Sequence, residues 1–152
     1  MTSEVRSPTV SVVIPFRNRI EWLGEAVQSV LDQTYDDFEV IVIDDGSDEL
    51  EASQLGFKDG RIRYVRQDHK GRSTARNRGI GMSRGLFVAF LDSDDLFLPS
   101  KLERQVALMK ENPICLLSHT SYERISVGGK GIGVVDSGKF KVSFTLRSYG
   151  GA

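Results

Sequence analysis

Apolar positions along the first two thirds of the chain follow two alternating patterns. Residues 9–14 (Thr-Val-Ser-Val-Val-Ile) are β-branched and end at Pro15, which predicts a buried strand. Ile20, Leu23, Val27, Val30 and Leu31 then recur at helical spacing, with Asn18 placed to cap the helix. Residues 38–43 (Phe-Glu-Val-Ile-Val-Ile) predict a second buried strand, and Asp44-Asp45-Gly46-Ser47-Asp48 follows it with turn chemistry. A weaker helix is expected over 49–56. Residues 61–66 alternate as a strand does, and a Gly-rich, basic helix is expected over 71–84. Residues 86–91 predict another short buried strand ending at Asp92. Pro99 opens a helix through Lys110, with Leu102, Val106 and Met109 on one face. Residues 114–118 are expected to form a further strand. Beyond Ser126 the glycines at 128, 129, 131 and 133 predict a hairpin or a loop.

Strands alternating with helices imply an α/β layer on a mostly parallel sheet. In such sheets ligands bind beyond the carboxyl ends of the strands. Three polar clusters fall at those ends: Pro15-Phe16-Arg17-Asn18, Asp44-Asp45-Gly46-Ser47 and Asp92-Ser93-Asp94-Asp95. Their coincidence is the main argument for a site.

Composition narrows the class. At 152 residues, 39% apolar and 27% charged, the chain suits one soluble globular domain with its own core. A net charge of −1 offers no electrostatic footing for nucleic acid or an anionic membrane. The single cysteine, Cys115, lies in an apolar run and is expected to be a small buried hydrophobe. No stretch is long enough for a signal core or a membrane span. A cytoplasmic protein is therefore expected, with peripheral attachment at the inner face of the membrane left open.

Three carboxylates within four residues repel one another when ionised and dry, and a divalent cation relieves that cost. Carboxylate oxygens suit hard ions such as Mg²⁺ and Mn²⁺. A solvated acidic turn that caps the next helix is the alternative. Asp44-Asp45-Gly46-Ser47 can offer a carboxylate to a base N–H or a ribose hydroxyl, with Gly46 permitting a left-handed turn close to a ligand. A plain Asp-Gly turn is the competing reading. The basic segment 71–79 can hold a diphosphate through backbone N–H groups and guanidinium forks, or it is a solvated helix face. His119 and Trp22 are expected in packing or surface roles.

Taken in order, several blocks resemble the family 2 glycosyltransferases. They are 12–19 (Val-Val-Ile-Pro-Phe-Arg-Asn-Arg), 31–35 (Leu-Asp-Gln-Thr-Tyr), 38–47, 71–79, 87–95 and 99–102. The resemblance covers residues 10–112. It implies a GT-A (Rossmann-like) three-layer α/β/α fold with a mostly parallel central sheet. It further implies transfer of a sugar from a nucleotide-diphosphate sugar, a UDP-sugar favoured, to an acceptor hydroxyl. The reaction would be inverting and dependent on Mn²⁺ or Mg²⁺, the acceptor glycan or lipid-linked, and the setting polysaccharide or cell-envelope glycan synthesis. A homodimer is compatible with it.

By that likeness Pro15, Phe16 and Arg17 line the nucleotide pocket. Asp45 holds the base, Asp44 supports or shares that contact, and Arg76 meets base or phosphate. Asp92 and Asp94 correspond to the D-x-D pair near ribose and metal, with Ser93 between them and Asp95 as a further metal ligand. The family's catalytic base lies in a later Glu-Asp pair. After Asp95 this chain offers Glu103, Glu111, Glu123 and Asp136, none of them in such a pair. The expectation is therefore a flexible N-terminus (1–8), a nucleotide-sugar-binding domain (9–126) and the truncated start of an acceptor region (127–152). A non-catalytic binding module is the alternative. A nucleotidyltransferase ranks lower, because Pro15-Phe-Arg-Asn-Arg19 stands where a Gly-rich phosphate loop is expected.

Overall fold

The computed structural model describes residues 6–48, 55–126 and 131–135. It divides into two compact units, with the boundary inside a helix between Glu103 and Arg104.

The first unit is built on four strands: β1 (Val10–Phe16), β2 (Phe38–Asp45), β3 (Ile62–Gln67) and β4 (Phe87–Phe90). All their pairings are parallel, in the order β3-β2-β1-β4. The helix α1 (Ile20–Leu31) is the crossover between the parallel neighbours β1 and β2, and α2 (Arg72–Met82) carries the chain from β3 at one edge to β4 at the other. Every residue of β1 and β2 is buried, which explains their unbroken apolar runs. Successive side chains of a strand point to opposite faces. Val13 points at α2, in a cluster with Ile41, Ile43 and Ala75. Gly79 lets the helix come that close, because a Cβ there would lie 2.3 Å from Val13 Cγ1. Val12 and Ile14 point the other way and are equally buried. The apolar stripe of α1 (Leu23, Ala26, Val27, Val30) is buried too, and α1 packs on β1.

Several expectations need correction. β1 runs through Pro15 rather than stopping before it. Its pairs with β4 end at Val13↔Phe90, so Pro15 lies near the strand's end, where a proline is tolerated. β4 is an edge strand with half-buried to exposed side chains rather than a buried one. Asn18 does not cap α1. The N-cap is Arg19, and it makes no side-chain capping bond. The helix expected over 49–56 falls almost wholly outside the described residues.

The second unit starts within α3 (Lys101–Glu111) and holds the antiparallel hairpin β5 (Tyr122–Ile125) and β6 (Gly131–Val135), with a register shift at Arg124/Ile125. The hairpin begins earlier than the glycine pattern implied. Residues 114–118 form no strand, and Ile114 is 94% exposed. Cys115 is half-buried rather than buried, with its Sγ 3.4 Å from the Leu117 carbonyl.

Candidate functional site

The sheet order places a topological switch at β1. From β1 the chain steps to β2 and β3 on one side and later returns to β4 on the other. The crevice beyond the carboxyl ends of β1 and β4 is where such sheets bind ligands. The Pro15–Arg19 and Asp92–Asp95 segments both leave the sheet there.

Pro15 and Phe16 are buried at the end of β1, and Arg17 emerges into solvent. Asn18 and Arg19 then both adopt left-handed φ angles, 57° and 56°. Such conformations cost energy in non-glycine residues and gather at functional sites. Bonds to the turn after β2 hold this one. Asn18 N donates to Ser47 Oγ (2.8 Å), Asn18 Nδ2 donates to Asp48 Oδ2 (3.0 Å), and Asp48 N donates to Asn18 Oδ1 (2.9 Å). Arg17 donates to the Gly46 carbonyl and to Asp48, both at 3.2 Å.

Asp44 and Asp45 end β2, side by side and buried, on separate tasks. Asp44 accepts from Ser47 N (2.8 Å), Ser47 Oγ (2.6 Å) and Tyr64 Oη (2.8 Å), with Arg66 Nη1 at 3.6 Å. Burial and the bond to Asp44 push the Tyr64 hydroxyl up to about 12. Asp45 reaches the loop before α2. Its Oδ1 accepts from Gln67 Nε2 (2.7 Å) and Lys70 N (2.9 Å), and its Oδ2 from His69 Nδ1 (2.8 Å) and Gly71 N (2.9 Å). Burial works to raise its pKa. The bonds from Lys70, Gln67, His69 and Gly71 outweigh that and hold the carboxyl below its ordinary value. Gly46 has φ 73°, and a Cβ there would lie 2.7 Å from His69 N. The neighbour that demands glycine is thus the chain's own backbone.

The third cluster follows β4. Leu91 N donates to the Val13 carbonyl (3.1 Å), and Asp95 N to that of Asp92 (3.0 Å), which closes the acidic turn. Carboxylate oxygens of Asp92, Asp94 and Asp95 all lie within 4.8 Å of one another. Arginines from elsewhere meet two of them. Arg76 and Arg72 of α2 pair with Asp92, the latter at 3.4 Å, and Arg19 pairs with Asp94 at 3.2 Å. Arg19 also lies 5.0 Å over the half-exposed Trp22 ring. Asp95 has no ion pair among the described residues. Partial burial and the charges of Asp94 and Asp92 push its carboxyl above the usual range. Three hard oxygen donors in one turn, one with unrelieved repulsion, fit a divalent cation.

The segment beyond this turn is tied to the end of α1. Phe97 N donates to Ser29 Oγ (3.0 Å), Gln33 Nε2 to the Leu98 carbonyl (2.8 Å), and Leu102 N to Gln33 Oε1 (2.9 Å). The matched blocks at 31–35 and 99–102 therefore position the acidic turn. Glu103 accepts from Thr34 Oγ1 at 2.7 Å. Glu111, Glu123 and His119 are exposed, and Asp136 lies outside the described residues.

Of the predicted residues, Asp45, Arg76 and Asp92 meet around the start of α2. The backbone N–H groups of Lys70 and Gly71, just before the helix, hold Asp45, and the helix's arginines hold Asp92. Sequence reasoning included Arg72 only as one of the arginines of 71–79, and it gave no role to Arg19, Gln67 or His69. The signal for the arginines was their place inside the matched blocks 12–19 and 71–79. For Gln67 and His69 nothing in the local text pointed to Asp45.

The sequence matches the family described as glycosyl transferase family 2 over residues 11–130. An uncharacterized glycosyltransferase of Rickettsia bellii is 49% identical over 90% of this chain, which spans 20% of that protein. The UDP-Glc:alpha-D-GlcNAc-diphosphoundecaprenol beta-1,3-glucosyltransferase WfgD of Escherichia coli is 38% identical over 77% of this chain and 47% of its own length. Among solved structures, the mannosyltransferase PcManGT from Pyrobaculum calidifontis, in complex with GDP-Man and Mn²⁺, superposes with a TM-score of 0.66. It covers 79% of this chain and 37% of that one at 20% identity, a likeness of fold. With its parallel sheet of GT-A type and its match across most of the length, the chain belongs to glycosyl transferase family 2.

Proposed function

We propose that this chain forms the donor-binding part of a transferase that moves a sugar from a nucleotide-diphosphate sugar, a UDP-sugar favoured, to an acceptor hydroxyl. The observation that carries this reading is the interleaving of carboxylates and arginines at the β1/β4 switch. A diphosphate needs cations, and Arg19, Arg72 and Arg76 stand where it would arrive. Asp92, Asp94 and Asp95 would hold Mn²⁺ or Mg²⁺, which as a Lewis acid offsets charge on the departing diphosphate. The arginines then have two partners available, the carboxylates before binding and the phosphates after it. Pro15, Phe16 and Arg17 would border the base, Asp45 and Asp44 would receive it, and Ser93 would lie beside the ribose. Attack from the face opposite the nucleotide inverts the anomeric centre. The names of the Escherichia coli and Pyrobaculum relatives, a UDP-Glc transferase with a lipid-diphosphate acceptor and a mannosyltransferase with GDP-Man, support the substrate class and a glycan or lipid-linked acceptor.

One observation favours a second reading, a binding module without transfer of its own. Glu103, one of the carboxylates after Asp95, is already occupied by Thr34 Oγ1.

Titration calorimetry with UDP and GDP, with and without Mn²⁺, tests the site. Metal is expected to tighten binding, and Asp94→Ala to lose roughly tenfold or more of that gain, about 1.4 kcal/mol. Equal metal-enhanced binding by both proteins sinks the metal role. Release of free nucleotide from a UDP-sugar, with or without an acceptor, separates the transferase from the binding module.

A further inference from the structure

The carboxylate proposed to receive the base already has a full set of donors. A carboxylate offers about four lone-pair sites, and Asp45 has a donor on each: Gln67 Nε2, Lys70 N, His69 Nδ1 and Gly71 N. A base N–H can bond to Asp45 only by replacing one of them.

The four donors differ in how easily they leave. Lys70 N and Gly71 N are backbone groups at the entry to α2, where the Gly71 carbonyl accepts the first helical bond from Ala75 N (3.1 Å). Either one can leave only if the backbone that leads into the helix moves. Gln67 is the last residue of β3, the register partner of Asp45 in the sheet, and half-buried. The His69 side chain is 53% exposed. Its Nδ1 faces two oxygens of the same residue, Asp45 Oδ2 at 2.8 Å and the Asp45 carbonyl at 3.1 Å. Two acceptors there require Nδ1 to carry the proton, so the bond is a donation from the ring. The His69 backbone is pressed against Gly46 and stays, while the ring can rotate about its own side-chain bonds into solvent.

We propose that His69 is a placeholder: its imidazole N–H occupies the place on Asp45 Oδ2 that the nucleobase N–H takes, and nucleotide binding turns the ring out. His69 is then a specificity-determining residue. Only a ligand that places an N–H on Asp45 Oδ2 recovers what the displacement costs, so the position of the base's N–H is what is selected. The inference rests on the reading of Asp45 as the base contact.

The test is calorimetry with UDP and GDP in the presence of Mn²⁺ on wild type, His69→Ala, His69→Phe and Asp45→Asn. His69→Ala is expected to bind the preferred nucleotide about three- to tenfold more tightly, since the bond to be broken is gone. His69→Phe keeps the ring without its donor and is expected to bind tighter as well. In the wild type, the hydrogen-bonded His69 Nδ1–H resonance is expected to vanish as nucleotide is added. Unchanged or weaker binding by both His69 variants, with an unshifted ring resonance, overturns the placeholder. A wild type that binds neither nucleotide, or binding untouched by Asp45→Asn, overturns the base-contact reading instead. Wild-type binding that Asp45→Asn weakens and the His69 variants do not improve sinks the placeholder alone.

Discussion

The two ends of the parallel sheet handle charge in opposite ways. At the amino end Glu39, second residue of β2, is buried with a closed set of partners. Its Oε1 accepts from Ser11 Oγ (2.7 Å) and Arg84 N (2.8 Å), and its Oε2 from Arg84 Nη2 (2.7 Å), Arg84 Nε (3.0 Å) and Arg63 Nη1 (3.3 Å). Ser11 Oγ in turn receives Gly85 N at 2.9 Å. One carboxylate thereby joins β1, β2, β3 and the approach to β4. The carboxyl end also gathers carboxylates and arginines; Asp44 and Asp45 have full sets of partners there, but the acidic turn after β4 stays open. Asp92 and Asp94 are paired from outside, Asp95 is not, and Arg76 Nε is buried without a hydrogen-bond partner. At the amino end, away from the ligand crevice, a buried charge whose partners are complete belongs to the fold. Charges left in excess, at the end where such sheets bind ligands, are what a ligand can complete.

The strongest way to break this comparison is Glu39→Gln. Burial raises the Glu39 carboxyl, and the bonds from Arg84 and Ser11, with the Arg84 charge, bring it below its ordinary value. A lowered folded value means that the pairing stabilises above the unfolded value and is lost as pH falls through the folded one. Removing the charge strands two guanidinium groups that still reach solvent. A loss on the order of 3 kcal/mol is expected at pH 7 in urea unfolding, with nucleotide affinity of the folded protein unchanged. A loss below about 1 kcal/mol would mean that the amino end is as expendable as an ordinary surface pair.

Arg76→Lys sharpens the other side. It keeps the charge but drops the planar fork, which Lys does not replace. Because Asp92 retains Arg72, unfolding stability is expected to change by less than about 1 kcal/mol. Metal-supported binding of UDP or GDP should fall roughly tenfold, about 1.4 kcal/mol. The reverse pattern, stability lost and affinity kept, would make Arg76 a structural brace like Arg84.

Much of this was legible in the sequence because it is local. The apolar runs of β1 and β2 and the stripe of α1 follow from side-chain periodicity. The three polar clusters follow from their places at strand ends. Long-range pairing was not legible. Arg19 and Asp94 stand 75 positions apart, and Glu39 and Arg84 stand 45 apart; neither spacing leaves a mark in the local text. Glu39 was visible as a charge inside an apolar run, but its partners depend on strand order. The exposure of β4 was misread for the same reason, since an apolar run of four residues looks alike in an edge and in a central strand. Asn18 was misjudged as a cap because its side chain found Asp48 across the turn instead.

Asp95→Asn has the smallest expected effect and separates the two ends most directly, because its sign is opposite to that of Glu39. Partial burial, then the charges of Asp94 and Asp92, raise the folded-state value of Asp95 above its unfolded one. The contribution of a group so shifted is fully present below the unfolded value, about 3.9 for Asp, and is lost as pH rises through the folded value. At neutral pH the ionised carboxylate is therefore a cost, which solvent keeps small at an exposed position. The metal-free Asp95→Asn protein is expected to be more stable than wild type at pH 7 by about 0.5 kcal/mol. That gain should shrink in high salt as the repulsion is screened, and vanish near pH 3, where the wild-type carboxyl is protonated. Mn²⁺ should raise the unfolding temperature of wild type more than that of the variant. A variant that is less stable at pH 7, with an undiminished response to Mn²⁺, would show that Asp95 is a partner within the fold and that the acidic turn is as closed as the Glu39 cluster.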